Sequence, residues 1–337
     1  MTIKANPTEK SQENEPSVRP SVQTGGETET IVGKGDEKNF MGGSSIPFLG
    51  IDSSSAAPRP INSQAKRTSR KELLVIEEKL SSRDRAVLEA VQKYRLMTSD
   101  QIARMFFPDC ANKVSQGRQQ QLLMKRLKEY GLVNSLERQI GGYGGGSAVS
   151  VWHITEAGHR LLTLNNTDHY RRKRFAEPTP ARMAHTLAVT ECAIQLMDIC
   201  RYSVDLSLYS IDPEPTCWRR FNDGDGVSDL KPDMFLILNS QKFEDRWFIE
   251  VDRGSEHAPQ VIGKCNAYLR YYYCGVEQAE TSFFPFVMWI VKDAARRDYL
   301  KECVKKELEA QQQIFLFITE DDFEKTLRGF YDPKDLI

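Results

Sequence analysis

The six residues Gly141-Gly142-Tyr143-Gly144-Gly145-Gly146 lie between two segments of β-strand composition, Leu132 to Gln139 and Ala148 to Ile154, so the chain must double back there as a hairpin. What precedes the hairpin is helical. Ser81 or Ser82 is placed to cap a helix through Tyr94 that carries Val87, Leu88 and Val91 on one face. Thr98-Ser99-Asp100 caps a second helix, which stops at Phe107-Pro108. A third runs from about Ser115 to Tyr130, with Gly131 closing it. Beyond the hairpin, Thr155-Glu156-Ala157-Gly158 opens a short helix ending in Leu161-Leu162. The order helix, helix, helix, hairpin, helix predicts a winged helix-turn-helix over residues 71–165.

Charge supports a polyanion as its partner. From Lys66 to Arg174 there are 21 Lys and Arg against 11 Asp and Glu, a surplus of ten positive charges, although the whole chain of 337 residues carries a net charge of −1. On a wheel of the third helix, Gln119, Leu122, Leu123, Leu127 and Tyr130 fall on one side, which is expected to pack inward. Arg118, Gln121, Lys125 and Lys128 form the opposite stripe, the face a recognition helix offers to a major groove. Arg and Gln can bond base edges, and the lysines suit phosphates. Arg138 and Tyr143 on the hairpin, and the basic linker residues Arg171, Arg172, Lys173 and Arg174 within residues 166–180, are further candidates for contact with double-stranded DNA. The same stripe is also what an ordinary solvated helix face looks like.

Residues 1–70 are rich in Ser, Thr, Gly, Glu, Pro and Lys and are expected to be disordered; Ile46 to Ile51 is the one apolar run, either a docking peptide or incidental. The seven cysteines form no C-x-x-C pair and no cluster with histidine, which argues for reduced thiols and against a disulfide frame or a zinc site. With no apolar stretch after Met1 and none of about 20 residues elsewhere, a soluble cytoplasmic protein is expected, with no membrane partner.

After the linker the pattern changes. A long helix spans about 181–202, strands follow at about 205–211, 232–238 and 246–252, then a helix at 257–273, a strand at 284–291, a helix at 293–309 and a strand at 313–319. This predicts a second, α/β domain over 181–330, built on a mixed sheet flanked by helices. Side chains alternate along a strand, so Glu250 and Asp252 share a face; with Asp233 on the neighbouring strand they make a carboxylate cluster of the kind that holds Mg²⁺.

Lys231-Pro232-Asp233 followed by Glu250-Val251-Asp252 resembles the PD…(D/E)xK motif of the restriction-endonuclease-like fold. Asp252 stands where that motif has lysine. The resemblance implies that a lysine from the following helix, Lys264, supplies the missing charge; Lys264 equally suits an ion pair with Glu250 or Asp252 that holds a retired site together. The wider series is Trp152-His153-Ile154-Thr155-Glu156-Ala157-Gly158, His185-Thr186-Leu187-Ala188-Val189-Thr190-Glu191, Lys231-Pro232-Asp233, Phe248-Ile249-Glu250-Val251-Asp252-Arg253-Gly254-Ser255-Glu256 and Lys264 with Tyr268. Taken together these resemble the replication-relaxation family of plasmid, phage and integrative-element proteins over about 78–320. The resemblance implies an accessory DNA-binding protein of mobile-element replication or conjugative transfer, acting near an origin with a relaxase or replication protein, and assigns no catalytic activity. Two alternatives stand beside it: a Mg²⁺-dependent nuclease or nickase using Asp233, Glu250, Asp252 and Lys264, and a winged-helix transcriptional regulator whose second domain senses a ligand or forms a homo-oligomer. His185 receives no role, His257 is read as a local cap, and Tyr268, Tyr271, Tyr272 and Tyr273 as core and interface.

Overall fold

A computed structural model describes residues 68–136, 150–164, 176–240, 244–308, 313–329 and 333–337. The readings of residues 1–70, of the Gly141–Gly146 turn and of the linker residues up to 175 therefore fall largely outside the described residues. The first part is helical: α1 (Arg70–Glu77), α2 (Ser82–Tyr94), α3 (Ser99–Phe106) and α4 (Lys113–Glu129). Sequence chemistry accounts for their starts. The side chains of Ser69, Ser81, Thr98 and Asn112 each accept a backbone N–H of the first turn. In the first three a Glu, Asp or Gln at the third helical position bonds back to the cap. Gly131, at φ 69°, ends α4 in the left-handed conformation.

Three short strands complete this part: β1 (Met97–Thr98), β2 (Val133–Ser135) and β3 (Val151–Ile154), in the antiparallel order β1-β3-β2. The indole of Trp152 donates to Ser99 Oγ at 2.9 Å and so fixes the sheet to the start of α3. The following α5 (Glu156–Leu162) lies so close to this sheet that Gly158 has no room for a side chain: a Cβ there would sit 2.2 Å from the Leu132 carbonyl oxygen and 2.7 Å from Ile154 Cγ1. Since backbone is the obstacle, Gly158→Ala is expected to cost about 3 kcal/mol. Urea denaturation measures it, and an unchanged midpoint would show that α5 is free to shift.

The second part is a mixed α/β arrangement. The long helix α6 (Pro180–Arg201) leads into β4 (Leu206–Pro213), a hairpin of β5 (Arg219–Asn222) and β6 (Val227–Leu230), then β7 (Met234–Ser240), β8 (Glu244–Asp252), α7 (Ala258–Cys274), α8 (Val276–Thr281), β9 (Phe286–Val291), α9 (Ala294–Leu308), β10 (Phe315–Thr319) and α10 (Phe323–Leu327). Five strands form one sheet in the order β10-β9-β8-β7-β4, with β10, β9 and β8 mutually parallel and β7 and β4 antiparallel to their neighbours. Helix α6 covers one face through Val189, Cys192, Ala193, Ile194 and Leu196, while α7 and α9 cover the other through Val261, Cys265, Tyr268, Leu300 and Val304. The three inner strands, β7, β8 and β9, are buried over most of their length and so read as apolar runs.

Helix α6 joins the two parts. Its sheet-facing residues belong to a core that continues through Val87, Leu88, Ile102 and Leu127 of the helical part. Its first turns pack Met183 and Leu187 against Leu96, Leu136 and Val151. Polar ties cross the same seam: Gln101 Nε2 donates to the Leu187 carbonyl at 3.1 Å, Arg104 pairs with Glu191 and Asp198, and Arg95 pairs with Glu214 at 2.8 Å.

Two expectations need correction. The inner face of α4 is Gln120, Leu123, Met124 and Leu127, whereas Gln119 and Leu122 point outward and Leu122 is 56% exposed. The apolar residues of this helix span a wider arc than its contact with α3, and a wheel gives only relative angles. Helix α1, which begins at Arg70 where disorder was expected, the β5–β6 hairpin, β1, α8 and α10 were not anticipated, because each is too short to show a clear period.

Candidate functional site

Two places were expected to carry function. On the outer face of α4, Arg118, Gln121, Lys125 and Lys128 are all exposed. Neither Arg118 nor Gln121 is held by a hydrogen bond or ion pair among the described residues. Lys125 makes a loose exposed pair with Glu129 at 3.9 Å, and Lys128 bonds Ser135 Oγ at 3.1 Å while lying 5.8 Å from the Trp152 ring. Lys128 thus ties the exposed face of α4 to the edge of the three-stranded sheet. Arg126, next in sequence to Lys125, is turned away and pairs with the buried Asp84 carboxylate. Four polar or cationic side chains therefore stand together on one exposed face, with Arg118 and Gln121 unpartnered among the described residues and Lys125 only loosely paired. Arg138, Tyr143, Arg171, Arg172, Lys173 and Arg174 lie outside the described residues.

The second place is the carboxylate region where β7, β8, α6 and α7 meet. Asp233 immediately precedes β7 and Glu250 lies in β8, next to the pair Met234–Ile249, and both are buried. Both oxygens of each of these two carboxylates are already used. Asp233 accepts from the Val251 backbone N–H at 2.8 Å and bonds His185 Nε2 at 3.0 Å. Glu250 accepts from the Tyr268 hydroxyl at 2.7 Å and from Lys264 Nζ at 3.0 Å. Lys264 is shared with Glu256 at 2.7 Å.

Asp252 does share a face with Glu250, yet it is drawn away from it. Its side chain is 0% exposed, accepts the Gly254 N–H at 3.0 Å and is paired at 2.7 Å with Arg296 of α9. The three carboxylates are therefore not gathered on one centre, and no group of three His, Cys, Asp or Glu among the described residues is arranged to hold a metal ion. The residues do not fit Mg²⁺: the Glu250 oxygens are taken by Lys264 and Tyr268, Asp252 is paired with Arg296, and Asp233 is saturated by hydrogen bonds.

Electrostatics favour the same reading. Burial, reinforced by the Asp233 charge, pushes the Glu250 carboxyl up to about 8, against the lowering by Lys264 and Tyr268. The hydrogen bond to Asp233 raises His185 above its ordinary value even though burial opposes it. Burial works against the Lys264 ammonium, but Glu250, Asp233 and Glu256 together raise it. A water-activating lysine would need the opposite perturbation.

Sequence reasoning missed His185, Tyr268 as a hydrogen-bond donor, Glu256 and Arg296. For His185 and Tyr268 the residues were in view, but which turn of a helix faces which strand is a matter of docking. Arg296 carried a faint signal: Asp293, three residues earlier, caps its backbone N–H at 2.8 Å at the start of α9. His257 stands where a cap was expected, its backbone N–H donating to Gln260 at 2.9 Å. Tyr268, Tyr271 and Tyr272 are buried, and Tyr273 is 64% exposed. Among the described residues no helix is long and apolar enough to cross a membrane.

A family model described as replication-relaxation matches residues 88–287, which takes in α4, the three-stranded sheet, α6 and the carboxylate region. No curated protein and no solved structure matches the chain.

Proposed function

The chain belongs to the replication-relaxation family, and on that premise we propose that it is an accessory DNA-binding protein of mobile-element replication or transfer, gripping duplex near an origin and assisting its relaxation. Residues 71–165 read as a winged helix-turn-helix, with α4 as recognition helix; the glycine turn expected to form the wing lies outside the described residues. The observation that carries this reading is the outer face of α4, where Arg118, Gln121, Lys125 and Lys128 stand exposed and Arg118 and Gln121 have no partner among the described residues. A cationic face beside free Arg and Gln side chains suits phosphates flanking base edges. The α/β part reads as restriction-endonuclease-like, with its charged cluster serving to hold α6, β8, α7 and α9 together, and a relaxase or replication protein as the proposed partner.

The test is duplex binding followed by fluorescence anisotropy across a salt series. Each phosphate neutralised contributes a slope of roughly −0.9 in log affinity against log salt. Lys125→Ala/Lys128→Ala is expected to weaken binding and to reduce that slope by about 2. A double variant that binds duplex with unchanged affinity and slope would remove α4 from the interface.

A further inference from the structure

Two aliphatic side chains stand on the same face as the cationic stripe. Val114 is 82% exposed and Leu122 56% exposed, in a helix whose other apolar residues, Leu123, Met124 and Leu127, are buried. At four-residue spacing Val114, Arg118 and Leu122 form one ridge, with the free guanidinium between the two aliphatic groups. Gln121 and Lys125 run alongside it. A face that only meets water gains nothing from two branched aliphatic side chains, and neither contributes to the core.

The surrounding charge identifies what covers the ridge. Arg118, Lys125 and Lys128 disfavour an apolar protein surface, because docking there would strip three cations of water. A polyanion with apolar points on it satisfies both demands. In the major groove the apolar feature is the thymine C5-methyl, and guanine offers paired acceptors to arginine. Resting on the reading of α4 as a recognition helix, we propose that Val114 and Leu122 are specificity determinants that pack on thymine methyl groups flanking a guanine held by Arg118. The chain then selects A·T pairs on either side of a G·C pair through direct contact, not through DNA shape.

Removing the methyl from the DNA tests this without disturbing the protein fold. The probe is the duplex that the full chain enriches from a pool with randomised base pairs, remade with uracil in place of thymine. Burial of one methyl is worth about 0.8 kcal/mol, so each lost contact is expected to weaken binding about fourfold. Leu122→Ala and Val114→Ala, both at exposed positions, should each bind the thymine duplex more weakly and be less sensitive to uracil, with unchanged circular dichroism. Enrichment of no sequence, or equal binding to thymine and uracil duplexes, overturns the proposal while leaving duplex binding by α4 intact. A Leu122→Ala variant that changes the oligomeric state and keeps full uracil sensitivity overturns it too, by assigning Leu122 to a second copy of the chain. Failure to bind any duplex at low salt overturns the underlying reading itself.

Discussion

Arg296→Ala is expected to lower the stability of the protein by about 3–5 kcal/mol, the usual cost of leaving one member of a buried ion pair without its partner. Asp252 is wholly enclosed and Arg296 is only 13% exposed, so water entering the vacated space would replace the guanidinium poorly. In a chain of this size the melting temperature should fall by roughly 10 °C. Adding Asp252→Asn to the same protein should recover part of the loss, because the stranded charge is then gone. Thermal denaturation of the two variants beside the wild type decides it. A variant as stable as wild type would mean that Asp252 does not depend on Arg296 and is available to a ligand, restoring the three-carboxylate centre expected from its motif.

The second large effect is a dependence of stability on pH that centres on Glu250. Its carboxyl sits at about 8 in the folded chain against an ordinary 4.5. A group that holds its proton more tightly when folded contributes fully below pH 4.5 and loses that contribution as pH rises towards about 8. His185, raised above 6.5 chiefly by its hydrogen bond to Asp233, acts in the same direction over the upper part of that range. Stability should therefore decline between about pH 5 and 8, with Glu250 contributing up to roughly 1.4 kcal/mol per pH unit. Glu250→Gln has no proton to lose and keeps one acceptor oxygen in place of the two that Tyr268 and Lys264 use, so its profile should be flatter even though its overall stability is lower. Urea midpoints at half-unit pH intervals measure both. Stability that rises through this window would show Glu250 to be an ordinary paired carboxylate.

Much of the local structure was written in short-range chemistry. Ser81, Thr98 and Thr155 cap the helices they were expected to cap, because a side-chain oxygen reaching a backbone N–H three residues on is a local event. Glu250 and Asp252 fall on one face because alternation along a strand needs no knowledge of the rest of the chain. The charged candidates fared differently. Nothing near Asp252 in sequence announces Arg296, which is 44 residues away and reaches it only because α9 packs beside the end of β8. The expected partner set of Lys264 was Glu250 or Asp252, and the structure gives Glu250 with Glu256.

The sequence by itself determined the order of the longer elements, the caps of α2, α3 and α5, the shared face of Glu250 and Asp252, and the family, since each depends on periods, caps and motifs a few residues long. Tertiary structure alone decided which way α4 turns, that α6 is shared between the helical part and the sheet, and how the acidic residues are divided among Lys264, His185 and Arg296. Those choices depend on which surfaces meet and which charges must be neutralised once water is excluded. Such pairings arise between residues dozens of positions apart, where neither period nor spacing carries information.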